Sequence, residues 1–422
     1  MAREMKESGI TWIGHIPKSW EVHPSCYVFS EIRTRNSGGT ITNALKFFNG
    51  TIIPKSNFDA ETDNYVADTI TTYTIVEPDT IMINGLNLNY DLKSLRVGLV
   101  KERGVITSAY LALFPDKSII LPEYATYLFK GYEAKMAFHN MGAGIRKTLG
   151  FKEFKRQPIL LPCMEEQQRI VSFLDTDCIR IDSVIEQTRA SIEEYKKLKQ
   201  AVITQAVTKG IRPKRPMKDS GVKWIGLLPE SWSVLSLKYL CTMQSGNNLV
   251  SEQISDTGEY PVYGGNGQRG YFEKFNCEGK KLLVGRQGAL CGNVHRVDGK
   301  FWATEHAVVT ENTEFCNIDY LYYLLLGMNL NQYVSSTAAQ PGLAVSTIQN
   351  AKTCLPSLDE QQEIAEYLDN KIPQIEMLVQ KKERFLEELI NYKKSLIFEY
   401  VTGKKEVLAT NGTVTHVAVP EK

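Results

Sequence analysis

The sequence has no long apolar run. Its longest unbroken stretch, Tyr320 to Leu326, is far short of the ~18 residues that a bilayer-spanning helix requires. No apolar segment follows the charged opening Met-Ala-Arg-Glu-Met-Lys-Glu, so no secretory signal is expected and the cytoplasm is the expected compartment. Charge of one sign is lacking too. Lys plus Arg is 49 and Asp plus Glu is 48, for a net charge of +1. That excludes a strongly basic protein but not a nucleic-acid partner, since only a local patch has to be basic. The eight cysteines, at 26, 163, 178, 241, 277, 291, 316 and 354, include no C-x-x-C pair, and no histidine pair lies near them. A zinc site and a disulfide framework are both disfavoured, and reduced thiols are expected. There is no G-x-x-x-x-G-K-[ST], no Asn/Asp-Pro-Pro-Tyr run of the amino-methyltransferases, and no nucleophile–histidine arrangement among only six histidines. Nothing argues for catalysis by the chain itself, and no cofactor or metal is expected in it.

What is present is ordinary for a folded soluble protein. The chain has 422 residues, 43% hydrophobic and 23% charged, which suggests two or three domains at about 150 residues each.

An internal repeat dominates. Residues 5–22 read MKESGITWIGHIPKSWEV and residues 217–234 read MKDSGVKWIGLLPESWSV, with 11 of 18 positions identical at an offset of 212. Residues 161–175 (LPCMEEQQRIVSFLD) return at 355–369 (LPSLDEQQEIAEYLD) at an offset of 194. The chain is therefore a tandem duplication: opening motif, variable segment, Leu-Pro-x-x-x-Glu-Gln-Gln, long helix, and all four again.

Both helices carry heptads. Cys178, Ile181, Ile185, Thr188, Ile192, Tyr195, Lys199, Val202 and Ala206 alternate steps of three and four, as do Leu368, Ile372, Ile375, Val379, Lys382, Leu386, Leu389, Lys393, Leu396 and Tyr400. Such a pattern over more than four heptads predicts a coiled-coil seam. Lys199 and Lys393 fall in the same slot and could set register. One chain with two matched runs points to an intrachain pair, and a two-fold relation between the copies would make it antiparallel. Fully helical, residues 164–209 would span roughly 69 Å. Pro373 is expected to kink the second run or restart a helix there.

The segments between these landmarks mix short β-type runs (Thr69–Val76, Thr80–Ile83, Lys281–Val284, Ala307–Thr310) with one aromatic-rich helix each, where Tyr124 and Tyr127 correspond to Tyr320 and Tyr323. The expected fold class is α+β: two tandem α+β domains separated by two long helices in an antiparallel intrachain coiled coil, with a pseudo-twofold repeat. The expected boundaries are 1–160 and 211–354 for the domains, 161–210 and 355–403 for the helices, and 404–422 for a polar tail.

Several local motifs bear on chemistry. Gly265-Asn-Gly267-Gln-Arg-Gly270 fits G-x-G-x-x-G, but β-type residues follow it rather than a helix, so it reads as a glycine-rich loop. Asp79, Asp91 and Lys93 fit a loose Mg-dependent nuclease pattern with no counterpart in the second copy. Eight Lys/Arg and no acid lie between Lys196 and Lys218, and Arg146, Lys147, Lys152, Lys155 and Arg156 crowd the end of the first variable segment. Such clusters neutralise phosphates or form a solvated surface.

These landmarks resemble the specificity subunit of Type I restriction–modification enzymes. The resemblance rests on Ser-Gly-x-x-Trp-Ile-Gly-x-x-Pro-x-x-Trp (8–20 and 220–232), Leu-Pro-x-x-x-Glu-Gln-Gln (161–168 and 355–362), Val-Thr-Lys-Gly (207–210) and Tyr260-Pro-Val-Tyr-Gly-Gly-Asn-Gly. It covers nearly the whole chain. It implies two target recognition domains, each reading one half of a bipartite, asymmetric site on double-stranded DNA, with the helices as spacer. It further implies two methylation subunits that carry S-adenosylmethionine and methylate adenine N6, and a restriction subunit using ATP and Mg²⁺. The candidate DNA contacts are Asn87, Lys93, Arg146, Lys147, Lys152 and Lys155 in the first variable segment and Asn266, Gln268, Arg269, Arg286, Gln287 and Gln340 in the second, since Lys and Arg neutralise phosphates and Arg, Gln and Asn read base edges. Trp12, Trp20, Gln167, Gln168, Trp224, Trp232, Gln361 and Gln362 are candidates for the repeated scaffold and its partner docking, although core packing alone accounts for most of the tryptophans. The competing readings are a fused Mg-dependent nuclease and an assembly scaffold that reads no DNA.

Overall fold

The computed structural model describes residues 3–55, 70–90, 95–139, 141, 147–287, 291–333 and 342–407. The chain forms two compact units, residues 1–187 with 385–422 and residues 188–384.

In the first unit, β1 (Met5–Glu7) and β2 (His15–Pro17) form a hairpin, and β3 (Glu21–Pro24) pairs with β12 (Pro158–Leu161). The opening motif makes its own turn. The Ser8 hydroxyl accepts the Ile10 N–H at 3.1 Å, and Gly9 and Gly14 take φ of 75° and 70°, where side chains are disfavoured. The second copy repeats this with Ser220, Val222, Gly221 and Gly226. The motif is thus spelled by turn geometry.

A four-stranded antiparallel sheet follows in the order β4 (Phe29–Glu31), β11 (Leu111–Pro115), β8 (Ile81–Ile83), β9 (Val97–Leu99). The run Ile-Met-Ile in β8 is buried at every position, which suits a central strand covered on both faces. Helix α1 (Pro122–Ala134) packs on this sheet through Tyr124, Leu128, Phe129 and Tyr132, all fully buried. The hairpin β5 (Leu45–Phe48), β6 (Thr51–Pro54) and the pair β7 (Thr74–Val76), β10 (Gly104–Ile106) complete the unit over a smaller cluster. Of the described residues of the run expected from Thr69 to Val76, only the last three are strand; Ile70–Thr72 form a 3₁₀ turn. A short helix α2 (Phe151–Phe154) precedes β12.

The second unit rebuilds the same frame. Here β13 (Met217–Asp219) and β14 (Leu227–Pro229) form the hairpin, and β15 (Ser233–Ser236) pairs with β24 (Lys352–Leu355). The central sheet runs β16 (Cys241–Ser245), β23 (Ala307–Asn312), β20 (Lys281–Gly285), β21 (Val294–Val297), the same order as before. Helix α4 (Ile318–Gly327) covers it, its N-terminus capped by the Asn317 side chain. The second sheet differs. It has four strands, β18 (Gly267–Phe272), β17 (Tyr260–Gly264), β22 (Lys300–Ala303) and β19 (Cys277–Glu278), with one parallel pair. A short helix α5 (Val345–Asn350) precedes β24.

The long helices are α3 (Met164–Lys209) and α6 (Leu358–Val401), and each contributes to both units. Within the first unit they run antiparallel, bringing Phe173 against Tyr400 and Lys393 Nζ to 2.6 Å from Asp182. Within the second they are again antiparallel, with Lys382 over the Tyr195 ring and Lys199 Nζ 2.5 Å from Glu376. The heptad lysines make equivalent cross-helix ion pairs: Asp182 and Glu376 differ by the same 194 positions as Lys199 and Lys393. Pro373 neither ends nor restarts α6, which is one helix through it. Its ring lies on the exposed face of the helix.

Candidate nucleic-acid interface

The repeated landmarks prove to be a joint that seats each domain on its helix. Glu166, in the first turn of α3, accepts the Trp20 indole N–H at 3.0 Å and pairs with Arg3 at 2.6 Å, with Arg3 over the indole ring. Glu360, in the first turn of α6, accepts the Trp232 N–H at 2.8 Å and pairs with Arg215, which lies over that indole. The first glutamine of each pair is fully buried. Gln167 accepts the Leu121 N–H and donates to the Ile119 and Pro162 carbonyls. Gln361 does the same with Asn317, Phe315 and Pro356. Trp20, Trp232, Gln167 and Gln361 thus act inside the fold, with no surface for a partner. Gln168 and Gln362 are exposed. Trp12 and Trp224 are half-buried, one edge-on to Tyr132 and the other donating to the Lys352 carbonyl at 2.9 Å. Tyr127 donates to Asp175 and Tyr323 to Asp369, both at 2.7 Å, tying the covering helices α1 and α4 to the long ones.

The basic run 196–218 is partly neutralised inside its own unit. Lys196 pairs with Glu193 and Glu383, Lys199 with Glu376, Arg212 with Glu363 through two nitrogens, and Arg215 with Glu360, while Lys218 donates to the Glu230 carbonyl. Four of the eight cations of the run are thus paired with carboxylates, mostly on α6, which reduces the positive charge it can offer a phosphate. Asp79, proposed as a metal ligand, sits in the turn before β8 and pairs with Lys117 at 2.5 Å. Asp91 and Lys93 lie outside the described residues.

The remaining candidates collect at one topological place in each unit. In the first unit it is the loop that leaves β8. Its Gly85 carbonyl accepts the Leu149 N–H at 2.9 Å, and the Leu88 N–H donates to the Lys147 carbonyl at 3.2 Å. A Cβ on Gly85 would lie 2.6 Å from the Leu149 oxygen, so only glycine permits this approach. Asn87 stands exposed at the loop tip with φ of 53°, and Lys147, half-buried, has φ of 39°. Lys152 on α2 and Lys155 just after it are exposed, and among the described residues neither forms an ion pair. Glu153, the one acid among them, is turned back to accept the Gly150 N–H. Arg146 lies outside the described residues.

In the second unit the equivalent loop leaves β20, and the Arg286 carbonyl accepts the Leu343 N–H at 2.9 Å. Leu149 and Leu343 are 194 positions apart, so one fastening is used twice. Arg286 directs a guanidinium nitrogen to the Ser245 hydroxyl at 3.2 Å, and Gln287, exposed, bridges to Gly342. The glycine-rich sequence is a hairpin: Gly265-Asn266 is the two-residue turn between β17 and β18. A Cβ on Gly265 would be 3.6 Å from the Arg286 backbone nitrogen, so this turn lies against the backbone at the start of that loop, with Asn266 exposed on it. Gln268 and Arg269 are exposed on β18. Gln340 lies outside the described residues. Each loop thus sets an Asn, Arg or Gln side chain beside basic or polar neighbours, the side-chain types that bond base edges bidentately. Sequence reasoning found these residues singly and missed Arg96, buried beneath the first loop.

Comparison with known proteins decides the family. A model described as "Type I restriction modification DNA specificity domain" matches residues 45–194 and 229–387. The chain belongs to this specificity family. The Escherichia coli Type I restriction enzyme EcoprrI specificity subunit is 46% identical over 138 residues, covering 32% of this chain and 34% of that protein. This chain thus spans about a third of that relative's length. The putative MjaX specificity subunit of Methanocaldococcus jannaschii is 24% identical over 422 residues, covering 94% of this chain and 96% of that one. A solved chain described under "complex assembly and conformational transition of the type I R-M system" has the same fold, with a TM-score of 0.67 at 15% identity, covering 92% of this chain and 99% of that one. The α+β class, the tandem domains and the paired long helices are those of this specificity family. Among the described residues no helix is long and apolar enough to cross a membrane.

Proposed function

We propose that the chain is the DNA-reading subunit of a Type I restriction–modification complex. Target recognition domains at 1–160 and 211–354 each read one half of a bipartite, asymmetric site on double-stranded DNA. The helices at 161–210 and 355–403 set the gap between the halves, much as protein spacing sets half-site spacing in dimeric DNA binders. Two methylation subunits carry S-adenosylmethionine and methylate adenine N6. A restriction subunit supplies the ATP- and Mg²⁺-dependent cutting, and this chain contributes no active site of its own. The complex works in the cytoplasm.

The observation that carries this reading is the shared frame with unlike loops. Both units keep one sheet order and one fastening, Leu149 to Gly85 and Leu343 to Arg286, yet set different side chains there and build different second sheets. A pure assembly scaffold has no use for that divergence. Asn87, Asn266, Arg286 and Gln287 are assigned to base edges, with Gln268 and Arg269 beside them, and Lys147, Lys152 and Lys155 to phosphates. Near-neutral overall charge is compatible, because partner subunits supply further phosphate contacts.

The test is co-expression with the methylation subunit and single-base mapping of N6-methyladenine. A single two-part motif with a fixed gap is expected. Exchanging residues 23–160 for another such domain should change one half only, and a change in both halves would refute the modular reading.

A further inference from the structure

The loop leaving β8 is held from beneath by a buried arginine, and among the described residues no buried arginine holds the equivalent loop of the second unit. Arg96 is fully buried. One nitrogen of its guanidinium donates to the Asn84 carbonyl at 2.9 Å and to the Leu86 carbonyl at 2.8 Å. The Asn84 N–H donates back to the Arg96 carbonyl at 2.8 Å, and the Asn84 side chain accepts the Leu86 N–H at 3.2 Å. The Arg96 N–H is itself taken by the Glu133 carboxylate on α1. Two alternate carbonyls drawn to one buried cation fix the curvature of the loop, and charge-assisted bonds of this kind are roughly twice as strong as neutral ones. Above them, the bonds to Leu149 and Lys147 close the other side. The product is a rigid turn with Asn87 in the left-handed region at its tip and Tyr90 71% exposed beyond it. In the second unit the same place is held by other bonds: the Gly285 N–H donates to the Asn293 carbonyl and the Gly292 N–H to the Gly285 carbonyl, each at 2.8 Å, and the Cys291 thiol donates to the Arg286 carbonyl at 3.0 Å.

We propose that Arg96 is a positioning residue for base reading by the first unit, holding the loop Asn84–Tyr90 so that Asn87 meets a base edge of one half-site. This rests on the proposed DNA-reading function. A buried cation here is costly unless its bonds are made, and a stiff reading loop lowers the ordering penalty on binding.

The experiment uses the full chain co-expressed with its methylation subunit, with N6-methyladenine mapping as readout. Lysine retains the charge of Arg96 but not the planar fork that reaches both carbonyls. With Arg96→Lys, the half-site assigned to the first unit by the 23–160 exchange should become degenerate, with at least a tenfold loss of discrimination there. The other half and the gap should stay unchanged. A merely structural role would lower methylation at all sites without altering the motif. An unchanged motif from an assembled Arg96→Lys complex overturns the proposal. If that variant fails to assemble, the exposed Asn87→Ala decides: degeneracy in the same half supports it, and an intact motif overturns it. A wild-type complex that marks no two-part motif overturns the DNA-reading function first, and the proposal with it.

Discussion

Removing the carboxylate of Glu360 should unfasten the second unit while sparing the first. Glu360 is only 4% exposed, and it receives both the Trp232 indole N–H and the Arg215 guanidinium. Arg215 is itself mostly buried, at 16% side-chain exposure. In Glu360→Ala the indole donor, inside a fully enclosed Trp232, has no acceptor, at about 1–3 kcal/mol for an orphaned buried donor. The guanidinium loses its counter-charge as well, and breaking a buried pair from one side costs about 3–5 kcal/mol. These overlap, and Arg215 keeps its bond to the Lys209 carbonyl at 2.8 Å, so a total of about 3–4 kcal/mol is expected. Glu360→Gln preserves an acceptor for Trp232 but sets an amide against Arg215, and should lose about half as much. A single unfolding transition is not assured in a chain of two units, so the assay is native-state hydrogen exchange resolved by segment. Protection should fall by two to three orders of magnitude in residues 217–240 and at the start of α6, with residues 5–28 unchanged. A loss below about 1 kcal/mol, or an equal loss in both units, would refute the reasoning.

Two further outcomes follow from the geometry. Reversing Lys393 to Glu should destabilise the helix pairing in the first unit by about 1 kcal/mol, the scale of an exposed ion pair, and Asp182→Lys in the same chain should restore it in a double-mutant cycle; additive losses would mean that the pair sets no register. Burial pushes the Glu133 carboxyl up to about 7, against the pull of the Arg96 N–H and guanidinium. A folded-state value above the unfolded one gives stability that is complete below about pH 4.5 and is lost as pH rises through about 7, at most about 3 kcal/mol and less for a partly exposed group. Glu133→Gln should therefore flatten the fall in urea midpoint between pH 5 and 8, and parallel curves for the two proteins would sink the argument.

Much of this protein was written locally. The tandem duplication, the two long helices and the strands Ile81–Ile83, Lys281–Gly285 and Ala307–Asn312 follow from motif spacing, heptad steps and short β-rich runs, because each depends on neighbours within one element. The Ser-Gly turns and the glycine-rich hairpin are likewise fixed by nearby backbone. Which charges meet is not a local property. The basic run 196–218 reads as an unpaired patch until α6 supplies Glu360, Glu363, Glu376 and Glu383 from more than 140 residues away. In the same way Gln167 and Gln168 are adjacent letters, yet helix rotation buries one and exposes the other. Only the packed structure brings Leu149 to Gly85 and Leu343 to Arg286, and so shows that Asn87 and Arg286 hold equivalent places. Arg96 is one arginine among many in the sequence. Its role depends on burial beneath a loop and on two carbonyls within 3 Å, which only the tertiary fold decides.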